Sequence, residues 1–234
     1  MALILNIDTA LDTAYISLAE NKKGIRYAIN ETTKDHAAWM QPAIDKLIKE
    51  SGFRIADLNA IGVSIGPGSY TGLRIGLSAA KGLCFALKIP LITINTLEIM
   101  AFAAINDIET HDPDLFSRNL FICPMIDARR MEVFTAVYDR NLHAVIPPTA
   151  MELKDDSFKD LLNNHRILFF GNGHEKLKRL VSHDHAIFSL LEFDVTYISG
   201  FINKKYNLSE FADLIYSEPE YIKEFYINTL NKTQ

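Results

Sequence analysis

The alternation of apolar and polar positions predicts three strands at the start of the chain. The runs LILNID (3–8), AYISLAE (14–20) and IRYAINE (25–31) are rich in branched and aromatic residues and are separated by short polar segments. The segment NKKG at 21–24 is typical of a hairpin turn, because Asn and Gly tolerate positive φ. The chain therefore opens with an antiparallel meander.

The pattern then changes to a helical period. Apolar residues recur every three to four positions over 37–50 and again over 71–87, which predicts two amphipathic helices. On the first helix, one i, i+4 column consists of Trp39, Ala43 and Leu47. Buried-strand patterns at 59–66 and 91–95, and a helix over 96–105, complete an order of βββαβαβα, which contains the unit βββαβα.

A second, weaker copy of this order follows. Its strands are predicted at 121–127, 132–139, 143–147, 166–171 and 186–191, and its helices at 155–164, 174–182 and about 207–217. Two such copies predict an α/β protein of two lobes, each a mixed sheet covered by helices. The polar segment 106–119 predicts the junction, so we expect an N-terminal lobe at 1–106 and a C-terminal lobe at 107–234, with the aromatic tail packing back on the body.

Composition and charge narrow the class of protein. The 234 residues include 24 basic and 29 acidic side chains, for a net charge of −5, without the basic surplus of a protein that holds a nucleic-acid backbone alone. Cys84 and Cys123 lie in apolar runs, as expected for reduced, buried thiols. No signal peptide or spanning segment is recognised, so we expect a cytoplasmic protein without a membrane segment.

The stretch IGPGSYTGLRIGLSAAKGL (65–83) places three glycines between a strand and a helix. Such a loop can hold an anion, because unpaired amide groups and the positive end of the helix dipole meet there. The spacing matches neither a Walker A loop nor the dinucleotide fingerprint. A tight turn through Gly66 and Gly68, capped by Ser69 or Thr71, is the alternative interpretation.

The helix after this loop carries a stripe of small residues at Gly72, Gly76 and Ala80. Glycine inside a helix costs about 0.8–1 kcal/mol relative to alanine, so the stripe needs a compensating use. It permits close approach of another segment, either within this chain or in a partner. Both alternatives stay open, with Leu73 and Leu77 as apolar flanks.

Other candidate chemistry is sparse. Asp8 follows a buried strand and could hold Mg²⁺ through water or close an Asx turn. Arg129 and Arg130 could bind an anion or form a salt-bridged hairpin tip, and His36 is expected to cap a helix or lie at the surface. No histidine spacing is typical of a metal site, and no nucleophile–base arrangement is recognised.

The segments ILNIDTA, GVSIGPGSYTGLRIGLSAAKGL, NTLEIMA and DARRMEVFTAVY together resemble the TsaB (YeaZ) family. The resemblance is dense over 3–140 and continues in FFGNGHEKL and SEPEYIKEF, although Lys223 stands where the family has arginine. It implies the actin-like fold of sugar kinases and heat-shock-protein ATPases. It also implies a non-catalytic companion of TsaD, which transfers a threonylcarbamoyl group to adenosine 37 of tRNA.

The resemblance further implies where the chain meets its partners. The helices at 37–50 and 71–87 would pack on matching helices of TsaD; the predicted contact residues are Trp39, Ala43, Leu47, Gly72, Leu73, Gly76, Leu77 and Ala80. TsaE, an ATPase, would join the complex, and tRNA would be met only through it. A homodimer through the same face is left open.

The resemblance also bears on metal and nucleotide. TsaD has two metal-binding histidines in an NHLEGH-type motif, whereas this chain has Thr96 and Met100 in the corresponding stretch NTLEIM. We therefore expect no catalytic residue and no metal ligand. No tightly bound cofactor is expected, but ATP or ADP near the subunit junction is left open, with candidate residues Asp8, Thr9, Gly66, Gly68, Ser69 and Arg74.

Two enzymatic alternatives remain. One is a stand-alone ATPase or sugar kinase of the same fold, with Asp8 on Mg²⁺ and the glycine loop on phosphate. The other is a metal-dependent glycoprotease-like enzyme, against which Thr96 and Met100 argue because a hydroxyl and a thioether replace two imidazoles.

Overall fold

Two five-stranded sheets form the framework of the chain. The computed structural model describes residues 2–21, 23–32, 35–115, 119–191 and 196–223. The first sheet has the order β3-β2-β1-β4-β5 and consists of β1 (Leu3–Asp8), β2 (Ala14–Glu20), β3 (Lys23–Asn30), β4 (Ala60–Gly66) and β5 (Leu91–Asn95). β2 pairs antiparallel with β1 and β3, whereas β1, β4 and β5 run parallel.

The second sheet repeats this order as β8-β7-β6-β9-β10. Its strands are β6 (Leu120–Asp127), β7 (Glu132–Tyr138), β8 (Ala144–Glu152), β9 (Arg166–Phe170) and β10 (Ala186–Phe188). The pattern of parallel and antiparallel pairs is also the same. The two predicted copies of βββαβα, each with a mixed sheet, are therefore confirmed.

Six helices accompany the sheets in the described part of the chain. They are α1 (His36–Ser51), α2 (Tyr70–Leu87), α3 (Thr96–His111), α4 (Lys159–Leu162), α5 (His174–Lys178) and α6 (Thr196–Asn207). Among the described residues, none of these helices has both the length and the apolar character needed to cross a bilayer.

The first sheet is covered on both faces, which explains why every residue of β1 is buried. Leu3, Leu5 and Ile7 point into the core shared with α1 and α2. Ile4, between them in sequence, joins the core beneath α6. This alternation follows the two-residue period of a strand and places α1 and α2 together on one face of the sheet.

The predicted helix at about 207–217 is wrong. The helix is α6, which ends at Asn207, and Ala212 forms an isolated bridge with Leu91 at the edge of the first sheet. Ile198, Phe201 and Ile202 recur at i, i+3 and i+4 and are almost fully buried, so the apolar face of α6 lies earlier in the sequence than the prediction placed it.

Smaller differences concern the ends of elements. α3 continues to His111, through residues predicted to form the junction between lobes, and α4 and α5 are shorter than predicted. The division of the chain at 106/107 stays a prediction. α6 packs on the first sheet and on α3, although it follows the second sheet in sequence.

The segment after α6 contacts both sheets. The Lys81 ammonium donates to the carbonyl oxygens of Ile215 and Ser217, at 3.0 and 2.9 Å. Further along, the Glu220 amide donates to Ile65 of β4 at 2.7 Å. Lys223 forms an ion pair with Glu132 of β7. Residues 224–229 of the predicted tail lie outside the described residues.

Candidate functional site

The end of β1 lies beside the glycine loop, and Asp8 is its buried acid. One Asp8 carboxylate oxygen accepts from the Ala10 amide at 2.9 Å and from the Ser64 hydroxyl at 2.7 Å. The first of these bonds is the predicted Asx turn. Burial raises the pKa of Asp8, an effect that the two hydrogen bonds oppose. The carboxyl group is thus committed to holding the loop after β1.

The concave side of the glycine loop is filled by the protein itself. The Ser69 amide donates to the Ala10 carbonyl at 2.7 Å, and a Cβ on Gly68 would lie 2.2 Å from that same oxygen. A Cβ on Gly66, whose φ is +129°, would lie 2.6 Å from the Glu220 carbonyl oxygen. Glycine is therefore needed here for the approach of backbone, and nucleotide binding at this loop stays a prediction.

Ser69 is the cap of α2, as one of the two predicted alternatives had it. Its hydroxyl oxygen accepts from the Gly72 amide at 3.2 Å. One turn of the helix is thereby fixed against the loop. The cap also uses one of the amide groups that an anion would need.

The stripe of small residues packs inside the chain. A Cβ on Gly72 would lie 2.1 Å from the Thr9 carbonyl oxygen, and a Cβ on Gly76 would lie 2.3 Å from the Thr9 hydroxyl oxygen. That hydroxyl donates to the Gly72 carbonyl at 2.7 Å. The close approach is therefore between α2 and the end of β1.

Most of the predicted partner-binding residues take part in packing within the chain. Six of them are buried: Leu47, Gly72, Leu73, Gly76, Leu77 and Ala80. Trp39 and Ala43 are half-buried and line a groove of about 450 Å³ between α1 and strand β3. Binding of a partner by these two helices stays a prediction, and so does the part that each of the eight named residues plays in it.

A second groove lies between α1 and α2 and has a volume of about 630 Å³. Its apolar walls consist of Ala37, Met40, Ile75 and Ala79, and its polar lining of Gln41, Tyr70, Thr71, Arg74 and Ser78. Within the described part of the chain, Arg74 is the one charged side chain that lines it. The groove is the surface that the two helices offer to solvent.

Arg74 is held at the rim of this groove by two tyrosines. Its guanidinium carbon lies 3.9 Å from the centre of the Tyr70 ring, and its Nε donates to the Tyr221 hydroxyl at 2.8 Å. The two rings have centroids 5.0 Å apart. Sequence reasoning missed this cluster, because no local pattern connects Tyr221 with residues about 150 positions earlier.

The two residues that stand where the resemblance puts metal-binding histidines are buried. Thr96 and Met100 are 1% and 4% exposed, and the Thr96 hydroxyl has no hydrogen-bond partner. The Asn95 side chain caps α3 by accepting from the amides of Leu97 and Glu98. A lone hydroxyl and a thioether do not suit a divalent metal, and no three His, Cys, Asp or Glu residues cluster within the described ranges.

The structure also bears on the expectations for the two cysteines, for His36 and for the arginines of the hairpin tip. Cys84 and Cys123 are free and buried, as predicted. His36 is buried, and its Nδ1 lies 3.2 Å from the side-chain nitrogen Nδ2 of Asn30. The prediction that His36 caps a helix or lies at the surface is therefore wrong. Arg129 and Arg130 are exposed at the hairpin tip, where the ion pair is instead Lys176–Asp127 at 2.8 Å.

Comparison with known proteins supports the relationship that the motifs indicate. A family model described as TsaD, tRNA N6-adenosine threonylcarbamoyltransferase, matches residues 17–224. The tRNA threonylcarbamoyladenosine biosynthesis protein TsaB of Bacillus subtilis strain 168 is 32% identical over 204 residues, covering 85% of this chain and 79% of the relative. TsaB of Buchnera aphidicola subsp. Baizongia pistaciae is 26% identical over 98% of both chains.

A solved structure shows the same architecture. YeaZ from Pseudomonas aeruginosa superposes with a TM-score of 0.75 at 19% identity, covering 94% of this chain and 100% of the other. The predicted α/β fold, with a mixed sheet in each half of the chain, is therefore shared with this structure. By its similarity to the B. subtilis protein over most of both sequences, the chain belongs to the TsaB family of tRNA threonylcarbamoyladenosine biosynthesis proteins.

Proposed function

We propose that this chain is a non-catalytic subunit in the formation of N6-threonylcarbamoyladenosine at position 37 of tRNA, and that it binds a TsaD-like catalytic subunit. The observation that carries the proposal is a contrast within one fold. The TsaD family model matches most of the chain, yet Thr96 and Met100 stand in the stretch where the resemblance puts metal-binding histidines. The chain matches the TsaD family model but lacks the two imidazole groups that would bind a metal.

The groove between α1 and α2 is the proposed docking surface. Its walls come from two helices that lie on the same face of the first sheet, and all of its lining residues except the buried Met40 are exposed or half-buried. A groove with apolar walls between two helices suits a helix of a partner, packed at about 8–10 Å between axes. The family relationship supports TsaD as the occupant, and a second copy of this chain on the same groove would compete with it.

The remaining parts of the proposal concern nucleotide, TsaE and tRNA. The carbonyl oxygens of Ala10 and Glu220 fill the glycine loop. This favours binding of ATP or ADP at the junction with the partner over binding in the loop of the isolated chain. A net charge of −5 supports contact with tRNA through the assembled complex instead of by this chain alone. TsaE would join that complex without a site on the isolated chain.

A pair of matched substitutions tests the docking surface. Ala37 lines the α1–α2 groove and Ala38, its neighbour on α1, lines the groove against β3, and both are exposed. We expect Ala37→Trp to weaken binding of the TsaD-like subunit from the same organism at least tenfold, because the indole fills the groove. Ala38→Trp should bind as the wild-type chain does.

Calorimetric or interferometric titration measures the binding, and thermal melting confirms that both variants are folded. Wild-type chain that does not bind the TsaD-like subunit contradicts the proposed function. Normal binding by a folded Ala37→Trp variant removes the docking surface from this groove. Loss of binding in Ala38→Trp alone would transfer the interface to the groove against β3.

A further inference from the structure

We propose that Arg74, held in place by Tyr70 and Tyr221, binds an acidic side chain on the partner helix that docks in the α1–α2 groove. This inference rests on the proposed function and adds the chemistry of the contact. It also gives the segment after α6 a role in recognition, because that segment supplies Tyr221.

Arg74 is exposed but its conformation is fixed. The guanidinium group stacks on Tyr70, with its carbon 3.9 Å from the ring centre, and lies 5.7 Å from the centre of Tyr221. Its Nε donates to the Tyr221 hydroxyl at 2.8 Å. The two terminal nitrogens are therefore the ones that can donate to a group on the partner. A long side chain that is already ordered loses less conformational entropy when a ligand binds it.

The positive charge of Arg74 has no counter-charge in the described part of the chain. The ion pairs formed there do not include Arg74, although eleven pairs join other side chains. Among the residues that the structure describes, the groove lining contains no acidic side chain. A cation of this kind at the edge of an apolar surface is complementary to a carboxylate on the partner.

The chemistry of the groove therefore specifies its occupant in two respects. Methyl and methylene groups of Ala37, Met40, Ile75 and Ala79 require an apolar face on the partner helix. Arg74 at the rim requires an Asp or Glu on the same helix, beside that apolar face. The guanidinium group can donate to both oxygens of a carboxylate in a bidentate geometry, which lysine cannot reproduce.

Tyr221 is a positioning residue in this arrangement, because it acts through Arg74. Its own position is set by the preceding residue, Glu220. The backbone amide of Glu220 donates to the Ile65 carbonyl oxygen at 2.7 Å, and the side-chain nitrogen Nδ2 of Asn95 donates to the Glu220 carboxylate at 2.7 Å. The tail is thus attached to the ends of β4 and β5, directly behind the start of α2. Recognition at the groove depends on that attachment.

Titration of the TsaD-like subunit with variants of the full chain tests the inference. We expect Arg74→Ala to raise Kd about tenfold, which is about 1.4 kcal/mol, and Arg74→Lys to raise it about threefold. Tyr221→Phe keeps the ring and removes the hydroxyl acceptor, and should raise Kd about threefold. Arg179→Ala, at an exposed arginine of the second lobe, should leave Kd unchanged.

Two further measurements separate recognition from a structural role. In the Arg74→Ala background, Tyr221→Phe should cause no additional loss of affinity, because both changes act on one contact. Raising the salt concentration from 50 to 500 mM should weaken the wild-type complex more than the Arg74→Ala complex, since the ion pair is screened. Melting temperatures of the free variants should stay close to that of the wild type.

The outcomes distinguish this inference from the proposed function. A wild-type chain that does not bind the TsaD-like subunit overturns both. A wild-type chain that binds and is weakened by Ala37→Trp, together with normal binding by Arg74→Ala, overturns the role of Arg74 alone. Equal effects of Tyr221→Phe in the presence and absence of Arg74 overturn the positioning role of Tyr221.

Discussion

A single methyl group at Gly76 tests how closely α2 is packed against the end of β1. The added Cβ would lie 2.3 Å from the Thr9 hydroxyl oxygen and 3.5 Å from the Ile7 side chain. Cβ atoms in proteins essentially never have contacts shorter than 3.0 Å. The Thr9 side chain must therefore turn away. That movement breaks its 2.7 Å hydrogen bond to the Gly72 carbonyl, in a place where Thr9 is inaccessible to water.

Two opposing effects set the magnitude for Gly76→Ala. Alanine is favoured over glycine inside a helix by about 0.8–1 kcal/mol. Forcing an extra carbon into a filled core typically costs about 1–3 kcal/mol, and the displaced hydroxyl adds to that cost. We expect a net loss of about 1 kcal/mol in the free energy of unfolding, or about 2–4 °C in Tm for a chain of this size.

Gly82 supplies the matched control on the same helix. A Cβ there would meet no atom within 4 Å, so Gly82→Ala should gain about 1 kcal/mol from helix propensity alone. Urea denaturation measures both variants, which should differ by about 2 kcal/mol. A Gly76→Ala chain as stable as Gly82→Ala would refute the close packing.

The clash can also be removed from the other side. Thr9→Ala deletes the hydroxyl oxygen that the Gly76 methyl group would meet. In that background Gly76→Ala should be neutral or stabilising, so the two changes should be clearly non-additive. Strict additivity would mean that Thr9 and Gly76 do not share the contact that the structure assigns to them.

Three further expectations concern the buried groups. Burial raises the pKa of Asp8, so its ionisation costs stability as the pH rises from its ordinary value of 3.8 through the raised value. Asp8→Asn keeps an oxygen for Ser64 but cannot ionise, so it should be more stable than the wild type towards neutral pH and no more stable below about pH 3. Urea titrations at several pH values measure this difference. A gain in stability that does not change with pH argues against a buried charge. Burial raises the pKa of Cys84 to about 11 and of Cys123 to about 12, so both thiols should resist alkylation at pH 8 until urea unfolds the chain, and rapid labelling of the folded chain contradicts this. The isolated chain should hydrolyse no ATP above background in a phosphate-release assay, and hydrolysis abolished by Asp8→Ala would support the stand-alone ATPase instead.

The first half of the fold was predictable because its periodicity is local and complete. β1, β2 and β5 begin and end at the predicted residues, and α1 and α2 differ from prediction by one residue at either end. Strand and helix periods are visible there without knowledge of the tertiary contacts. The repeated strand order follows from the same pattern in the second half, where the strands are recognisable although their bounds shift.

What the sequence could not show is which surface a small or apolar residue faces. The stripe of Gly72 and Gly76 is visible as a helical spacing, but the atom that it approaches is Thr9, more than 60 positions away. α6 was misplaced for a related reason, because its apolar face packs on a sheet formed by the other end of the chain. Both errors concern contacts across the chain, which local propensity does not determine.

The glycine loop connects the fold to the proposed function. In a phosphate-binding loop, the amide groups at the start of the helix must be left for the ligand. Here the Ser69 amide is used by the Ala10 carbonyl and the Gly72 amide by the Ser69 hydroxyl, while the Glu220 carbonyl approaches Gly66. The same glycines thus attach β1 and the tail to α2, and that attachment sets Tyr221 beside Arg74. A loop of this composition holds α2, one wall of the groove, against the end of β1, which favours packing over phosphate binding as the use of these glycines.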